Sequence, residues 1–246
     1  MPHLPVTIST NADAEAALRA GRVPTDPRRP VLFSADEQTG GVGRRGSGWA
    51  SPPGGVWASL ACCLPEPPGP VMTGLGFRLG VAVIRTLHDA GVDTARLKWP
   101  NDALVARRKI AGCMARTVVH AGRTWAVLGV GINADNPARA LTGLRIPATS
   151  LTEELGRPVD PAAVRELLFS HLPLAARTPG VPPDDLEFAR AHLDGVGRPH
   201  RYRLADGSLL EGRLDSLTPD GSPLLRGPAG EPIAVPPTAE PEHTAA

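Results

Sequence analysis

Between residues 73 and 91, apolar side chains recur at helical spacing: Leu75, Leu79, Val83 and Leu87 fall on one face, and Gly91 closes the segment. The pattern predicts the best long helix of the chain. A shorter, alanine-rich helix is expected over residues 12–20, entered through Ser9-Thr10-Asn11 and stopped at Gly21, a cap and a breaker that helix ends favour. Residues 31–34 and 56–64 are short apolar runs that read as strands, the second long enough to be buried. Four further runs rich in valine, isoleucine and leucine follow at 95–98, 103–106, 110–119 and 124–133. His120-Ala121-Gly122-Arg123 supplies a turn, so the last two are expected to pair as a hairpin. Asp160-Pro161 caps and opens a helix to about residue 177, and another is expected over 184–193.

After Gly195 the texture changes. Asp206-Gly207, Asp220-Gly221 and Ala229-Gly230 punctuate short alternating segments, the pattern of a small antiparallel barrel. The final residues are rich in proline, alanine and threonine, so a disordered tail is expected over 237–246. Because helices and strands do not alternate cleanly, the fold class is read as α+β.

Composition narrows the function classes. A chain of 246 residues has room for one sizeable core and a small second module. Its formal charge of +1 gives no general reason to expect nucleic acid or an anionic membrane as partner. No apolar run approaches the roughly 20 residues of a bilayer span, and the first residues lack the layout of a signal peptide. Three cysteines form no disulfide framework, and the histidines have no metal-ligand spacing. A cytoplasmic protein with reduced thiols and no structural zinc is expected.

Two segments carry candidate chemistry. The chain has only two lysines, Lys98 and Lys109, against a background of arginine, and they bracket Trp99-Pro100-Asn101-Asp102. A slim ammonium and a planar guanidinium are not interchangeable at a tight site, so both lysines are expected where an arginine would not fit. The second segment, residues 39–55, holds seven glycines, Arg44, Arg45 and Trp49. Gly41, Gly43 and Gly46 match the dinucleotide fingerprint in spacing, but no helix can follow through Ser51-Pro52-Pro53-Gly54-Gly55, so that reading is rejected. What remains is a loop of backbone N–H groups, two guanidinium groups and one indole, suited to phosphate and to base stacking.

Taken together these pieces resemble the biotin–protein ligases, which attach biotin to the carrier domains of carboxylases. In family order the chain carries Ser9-Thr10-Asn11, the loop from Gln38 to Trp49, Ser51 to Gly55, Lys98-Trp99-Pro100-Asn101-Asp102, Lys109-Ile110-Ala111-Gly112, Gly131-Ile132-Asn133 and Thr149-Ser150-Leu151. The two lysine motifs are the most specific part. The resemblance implies a class II synthetase-like catalytic domain over residues 1–194, a mixed sheet flanked by helices, followed by an SH3-like β-barrel over 195–236. It implies ATP-dependent biotinylation of a lysine on a biotin carboxyl carrier protein through biotinyl-5'-AMP, with Mg²⁺.

By the same resemblance, Lys109 and Arg44 are the catalytic residues. Ser9, Thr10, Asn11, Gln38, Gly41, Val42, Gly43, Arg44, Lys109 and Gly112 serve the biotin end. Arg44, Arg45, Trp49, Lys98, Asn101, Asp102, Ile132 and Asn133 serve ATP, and Asp102 is the candidate metal ligand. Only eight residues precede Ser9, so the short form without an N-terminal DNA-binding domain is expected, with no nucleic-acid or membrane partner; whether two copies pair stays open. The chain departs from the family loop at Val42 and Ser47, where arginines are usual, and Val235-Pro236-Pro237-Thr238 lacks the glycines usual near the end. The alternative reading is a degenerate relative that binds biotin or its adenylate without ligating, and a lipoate or octanoate transferase is a remote third.

Overall fold

The computed structural model describes residues 2–141, 144 and 146–242. In chain order the first part runs β1 (His3–Thr7), α1 (Thr10–Arg19), β2 (Val31–Gln38), β3 (Val56–Cys63), α2 (Gly69–Met72), α3 (Leu75–Asp89), β4 (Arg96–Lys98), β5 (Asp102–Val105), β6 (Arg108–His120) and β7 (Arg123–Ile132). Helices α4 (Leu151–Leu155), α5 (Pro161–Arg177) and α6 (Pro183–Ala191) follow. The chain then continues through β8 (Pro199–Arg203), β9 (Leu209–Leu217), β10 (Pro223–Arg226), β11 (Pro232–Ala234) and β12 (Glu240–Glu242). Every element expected from the sequence is present within a few residues; the short helices α2 and α4 are added, and so is β1. It was not legible because Pro5 interrupts a five-residue run and four of its five residues are exposed.

Strands β1 to β7 form one mixed sheet in the order β1-β2-β3-β7-β6-β5-β4. Only the β1–β2 pair is parallel. Strand β3 is buried at every position, which is why it reads as a continuous apolar run: both of its faces are covered. On one face α3 and α5 pack through Leu79, Val83, Leu87, Leu168 and Leu172. On the other, Ala14, Ala17 and Leu18 of α1 meet Phe33, Trp125 and Val127. A fully buried leucine in such a layer contributes about 2 kcal/mol.

Strands β8 to β12 make a second, antiparallel sheet in the order β11-β10-β9-β8-β12. Its outer strands β11 and β12 are not hydrogen-bonded to each other, so the ladder is open where a closed barrel was expected. Residues 240–242, expected in a disordered tail, instead pair with β8, Pro241 opposite Tyr202. A free strand edge is a costly thing to leave bare, and this short strand covers it. Residues 243–246 of that expected tail lie outside the described residues. Among the described residues no helix is long and apolar enough to cross a membrane.

Candidate active site

A cleft of about 730 Å³ opens on the α1 face of the seven-stranded sheet. Strand periodicity explains why it is there. Alternate residues of a strand share a face, so Trp125, Val127, Gly129 and Gly131 of β7 point the same way. The two large side chains pack against α1, and the two glycines, with Gly112 of β6, leave the floor beyond it bare. Functional side chains cover that floor: a Cβ at Gly129 would lie 2.5 Å from the Asn11 amide, one at Gly131 2.6 Å from Trp49 Nε1, and one at Gly112 3.0 Å from the Trp49 ring.

At one end stand Ser9, Thr10 and Asn11, where β1 turns into α1. Ser9 occupies the N-cap position with extended backbone, yet its side chain makes no capping bond. The N-cap reading of this tripeptide therefore explains its placement but not its chemistry. The Thr10 amide donates to Gln38 Oε1 at 2.9 Å, and Gln38 Nε2 donates to Ser51 Oγ at 2.8 Å. Gln38 thus ties α1 to the base of the glycine-rich loop.

The loop folds as a tight hairpin, bridged at Gln38–Ser51 and Val42–Gly48 around a single helical turn at Arg44–Gly46. Gly46 takes φ of 73°, the left-handed value this turn demands. Ser47 Oγ donates to the Arg44 carbonyl at 2.9 Å, so the serine that replaces an arginine of the resembled family closes the hairpin tip. Val42 is 45 % exposed at the mouth of the cleft. Gly43 lines the wall, whereas Gly41 is packed into the loop itself, where a Cβ would meet the Trp49 carbonyl at 2.5 Å. The Arg44 guanidinium donates to Asn101 Oδ1 at 3.1 Å, and Asn101 Nδ2 donates to the Cys113 carbonyl at 3.0 Å. The Arg45 side chain lies outside the described part of the structure.

The β4–β5 turn and the start of β6 bring the lysine motifs to the centre of the cleft. Lys109 Nζ lies 2.7 Å from Asp102 Oδ1 and 4.9 Å from the centroid of the Trp49 ring. An ammonium over an indole face is attracted by the ring quadrupole, so Trp49 and Asp102 together fix the end of the lysine. Its backbone is pinned as well: Lys109 N donates to the Pro147 carbonyl, and its own carbonyl accepts from Thr149 N. Trp49 Nε1 is buried without a hydrogen-bond partner, a donor aimed at the glycine floor. Lys98 and Trp99 line the same cleft, and Trp99 meets the single tyrosine, Tyr202 of β8, edge to face at 5.7 Å.

Two expected ATP residues stand differently. Ile132 is fully buried in the core on the α3 face and does not line the cleft. Asn133 lines the cleft, but Nδ2 donates to the Thr149 carbonyl at 3.0 Å, and Oδ1 accepts from Asn136 at 3.1 Å. In this arrangement it braces the segment that pins Lys109. Sequence reasoning missed the apolar wall from Leu141, Leu144 and Ile146, Pro241 from β12, and buried Ser59 beneath Thr10. None lies in a motif; Ser59 alone left a trace, a polar residue inside a fully buried strand. Burial pushes the Cys113 thiol beside the cleft up to about 12, so it is not a thiolate nucleophile near neutral pH. Charge and hydrogen bonding are what this cleft offers a substrate.

The sequence profile of the biotin/lipoate A/B protein ligase family matches residues 9–133. The chain belongs to that family. Among curated members it is 32% identical over 210 residues to the biotin–[acetyl-CoA-carboxylase] ligase of Paracoccus denitrificans, covering 81% of this chain and 85% of that one. It is 31% identical over 201 residues to the bifunctional ligase/repressor BirA of Bacillus subtilis, covering 79% of this chain and 61% of BirA. The chain thus spans about three-fifths of the two Bacillus bifunctional relatives it matches. The biotin protein ligase of Aquifex aeolicus, solved in complex with biotin and ATP, superposes with a TM-score of 0.73 at 22% identity over 98% of both chains. That likeness shows the fold alone, over 98% of the chain.

Proposed function

We propose that this chain is an ATP-dependent biotin–protein ligase. The observation that carries the reading is the Lys109 ammonium, held by Asp102 and the Trp49 face over a glycine floor, with the Arg44 guanidinium anchored on the neighbouring Asn101. In the first step a biotin carboxylate oxygen bonds to the α-phosphorus of ATP, the bond to the β-phosphate oxygen breaks, and pyrophosphate leaves. Two anions must meet, so the protein's task is positioned positive charge. An ammonium has three donors; one rests on Asp102, and the others are free to bridge carboxylate and α-phosphate. Arg44 neutralises the phosphates, and Trp49 offers the adenine a face. In the second step a carrier lysine amine attacks the biotinyl carbonyl carbon, and AMP departs with the electron pair.

Mg²⁺ fits as a companion of the nucleotide. Asp102 is the one carboxylate lining the cleft, and no cluster of three metal-binding side chains exists among the described residues. That is the donor set of an ion that brings phosphate and water as its other ligands. Asp102, through the carboxylate oxygen that is not paired with Lys109, would hold it, and when bound it would screen charge on the phosphate oxygens. We take the acceptor to be a carboxylase carrier domain in the cytoplasm, and residues 195–236, continued by β12, to be a small SH3-like module, read from its five short antiparallel strands. Incubation with biotin, ATP, Mg²⁺ and a carrier domain tests the reading by mass spectrometry: one biotinyl group per carrier supports it, and an unmodified carrier with active control ligase refutes it.

Two variants probe the loop and the floor. Val42 supplies no guanidinium where the family usually does, and a hydrogen bond to a charged group is worth about 1.5–3 kcal/mol. Val42→Arg is expected to slow release of biotinyl-adenylate by about tenfold or more, measured by chase with unlabelled intermediate; an unchanged rate would mean the loop's backbone already does the holding. Gly131→Ala puts a methyl 2.6 Å from Trp49 Nε1. It is expected to raise the KM for ATP by about tenfold, the cost of a displaced contact, with little change in melting temperature. An unchanged KM would show that Trp49 does not serve the base.

A further inference from the structure

We infer that Ser59, a residue of β3 outside every motif above, is the positioning residue that sets the hydrogen-bonding polarity of the biotin end of the cleft. The inference rests on the ligase reading and deepens it.

Ser59 is fully buried. Its Oγ donates to Asn11 Oδ1 at 2.8 Å and lies 2.8 Å from Thr10 Oγ1. A hydroxyl has one proton. The Thr10 hydroxyl donates to Gln38 Oε1 at 3.1 Å, an oxygen that also receives the Thr10 backbone N–H. Ser59 Oγ therefore joins Thr10 to Asn11 at the centre of one buried network, with its own proton on the Asn11 oxygen.

Two consequences reach the cleft. With its oxygen held against β3, the Asn11 amide turns its NH₂ group, two donors, outward. Thr10 Oγ1, its one proton engaged by Gln38, presents a lone pair to the cleft and accepts. Gly129, opposite Ser59 in the β3–β7 register, completes the seat: the Asn11 amide lies flat over it, 2.5 Å from where a Cβ would stand. A donor beside an acceptor on a rigid floor matches a cyclic urea, whose carbonyl accepts and whose ring N–H donates. An acid with an apolar ring, such as lipoate, answers neither. Ser59 touches no substrate atom and acts through Thr10 and Asn11.

The test compares wild type, Ser59→Ala and the nearly isosteric Ser59→Cys, a weak donor, in biotin-dependent pyrophosphate exchange and in direct biotin binding. Both variants are expected to raise the Kd and KM for biotin by about ten- to a hundredfold, leave the KM for ATP unchanged and hold kcat at saturating biotin. A merely structural role would not confine the effect to one substrate. The cysteine variant guards against the cavity that alanine leaves. Biotin affinity equal to wild type in both variants, or losses spread equally over biotin and ATP, overturns the inference while the ligase reading stands. A wild type that binds no biotin overturns both.

Discussion

Lys109→Ala is expected to lower biotin-dependent exchange of pyrophosphate into ATP by about a hundred- to a thousandfold, the usual cost of removing one preorganised charge-stabilising donor. The Lys109 ammonium lies against Asp102 at 2.7 Å and over the Trp49 ring at 4.9 Å, and its Cε passes 3.1 Å from where a Cβ at Gly112 would stand. That passage suits a slim stem. Lys109→Arg is therefore expected to be nearly as inactive as the alanine variant, because a planar guanidinium displaces the indole or the carboxylate. Folding should be little affected in either, since the side chain is part-exposed and its loss leaves no cavity in the core. Exchange within tenfold of wild type in Lys109→Ala would move the essential charge elsewhere, with Arg44 the nearest candidate.

The largest expected effect on stability comes from Arg78. It is 1 % exposed inside α3, and its guanidinium donates to the carbonyls of Val71, Thr73, Ala175 and Gly180. Burial pushes it down to about 10, so near neutral pH it is still a cation. Four carbonyls from α2, from α5 and from the connections that follow each have no equal partner without it. A buried acceptor left unmatched costs about 1–3 kcal/mol, and several at once with a cavity bring Arg78→Ala to about 4 kcal/mol of destabilisation, read from urea unfolding. Arg78→Lys should recover only part, one compact ammonium reaching fewer carbonyls. A loss below about 1 kcal/mol would mean that water replaces the guanidinium.

These two residues mark what the sequence could and could not reveal. Lys109 was legible because rarity and spacing set it apart. The hairpin β6–β7 and the caps of α5 were legible because turn and cap chemistry are local: Asp160 accepts from Ala162 N two residues away. Arg78 left only a hint, an arginine three residues after Leu75 on the apolar face of its helix. Its partners Ala175 and Gly180 lie about a hundred residues on, beyond any local pattern. The cleft floor was half legible: period two puts Gly129 and Gly131 on the face of Trp125, but not that Asn11 and Trp49 would cover them. The second sheet was read correctly as antiparallel and too generously as closed, because turn dipeptides fix hairpins and carry no information on whether the first and last strands meet. The tail misled for the opposite reason: its composition suits disorder, yet an open edge on β8 was waiting for three residues.

The most direct test of the account is whether wild-type protein with Mg²⁺ exchanges labelled pyrophosphate into ATP, with biotin, with lipoate and with neither. Exchange that requires biotin and is not supported by lipoate is the expected result. Tight biotin binding with no exchange from well-folded protein would contradict it, and would make Val42 and Ser47 the marks of a family member that kept the pocket and lost the reaction.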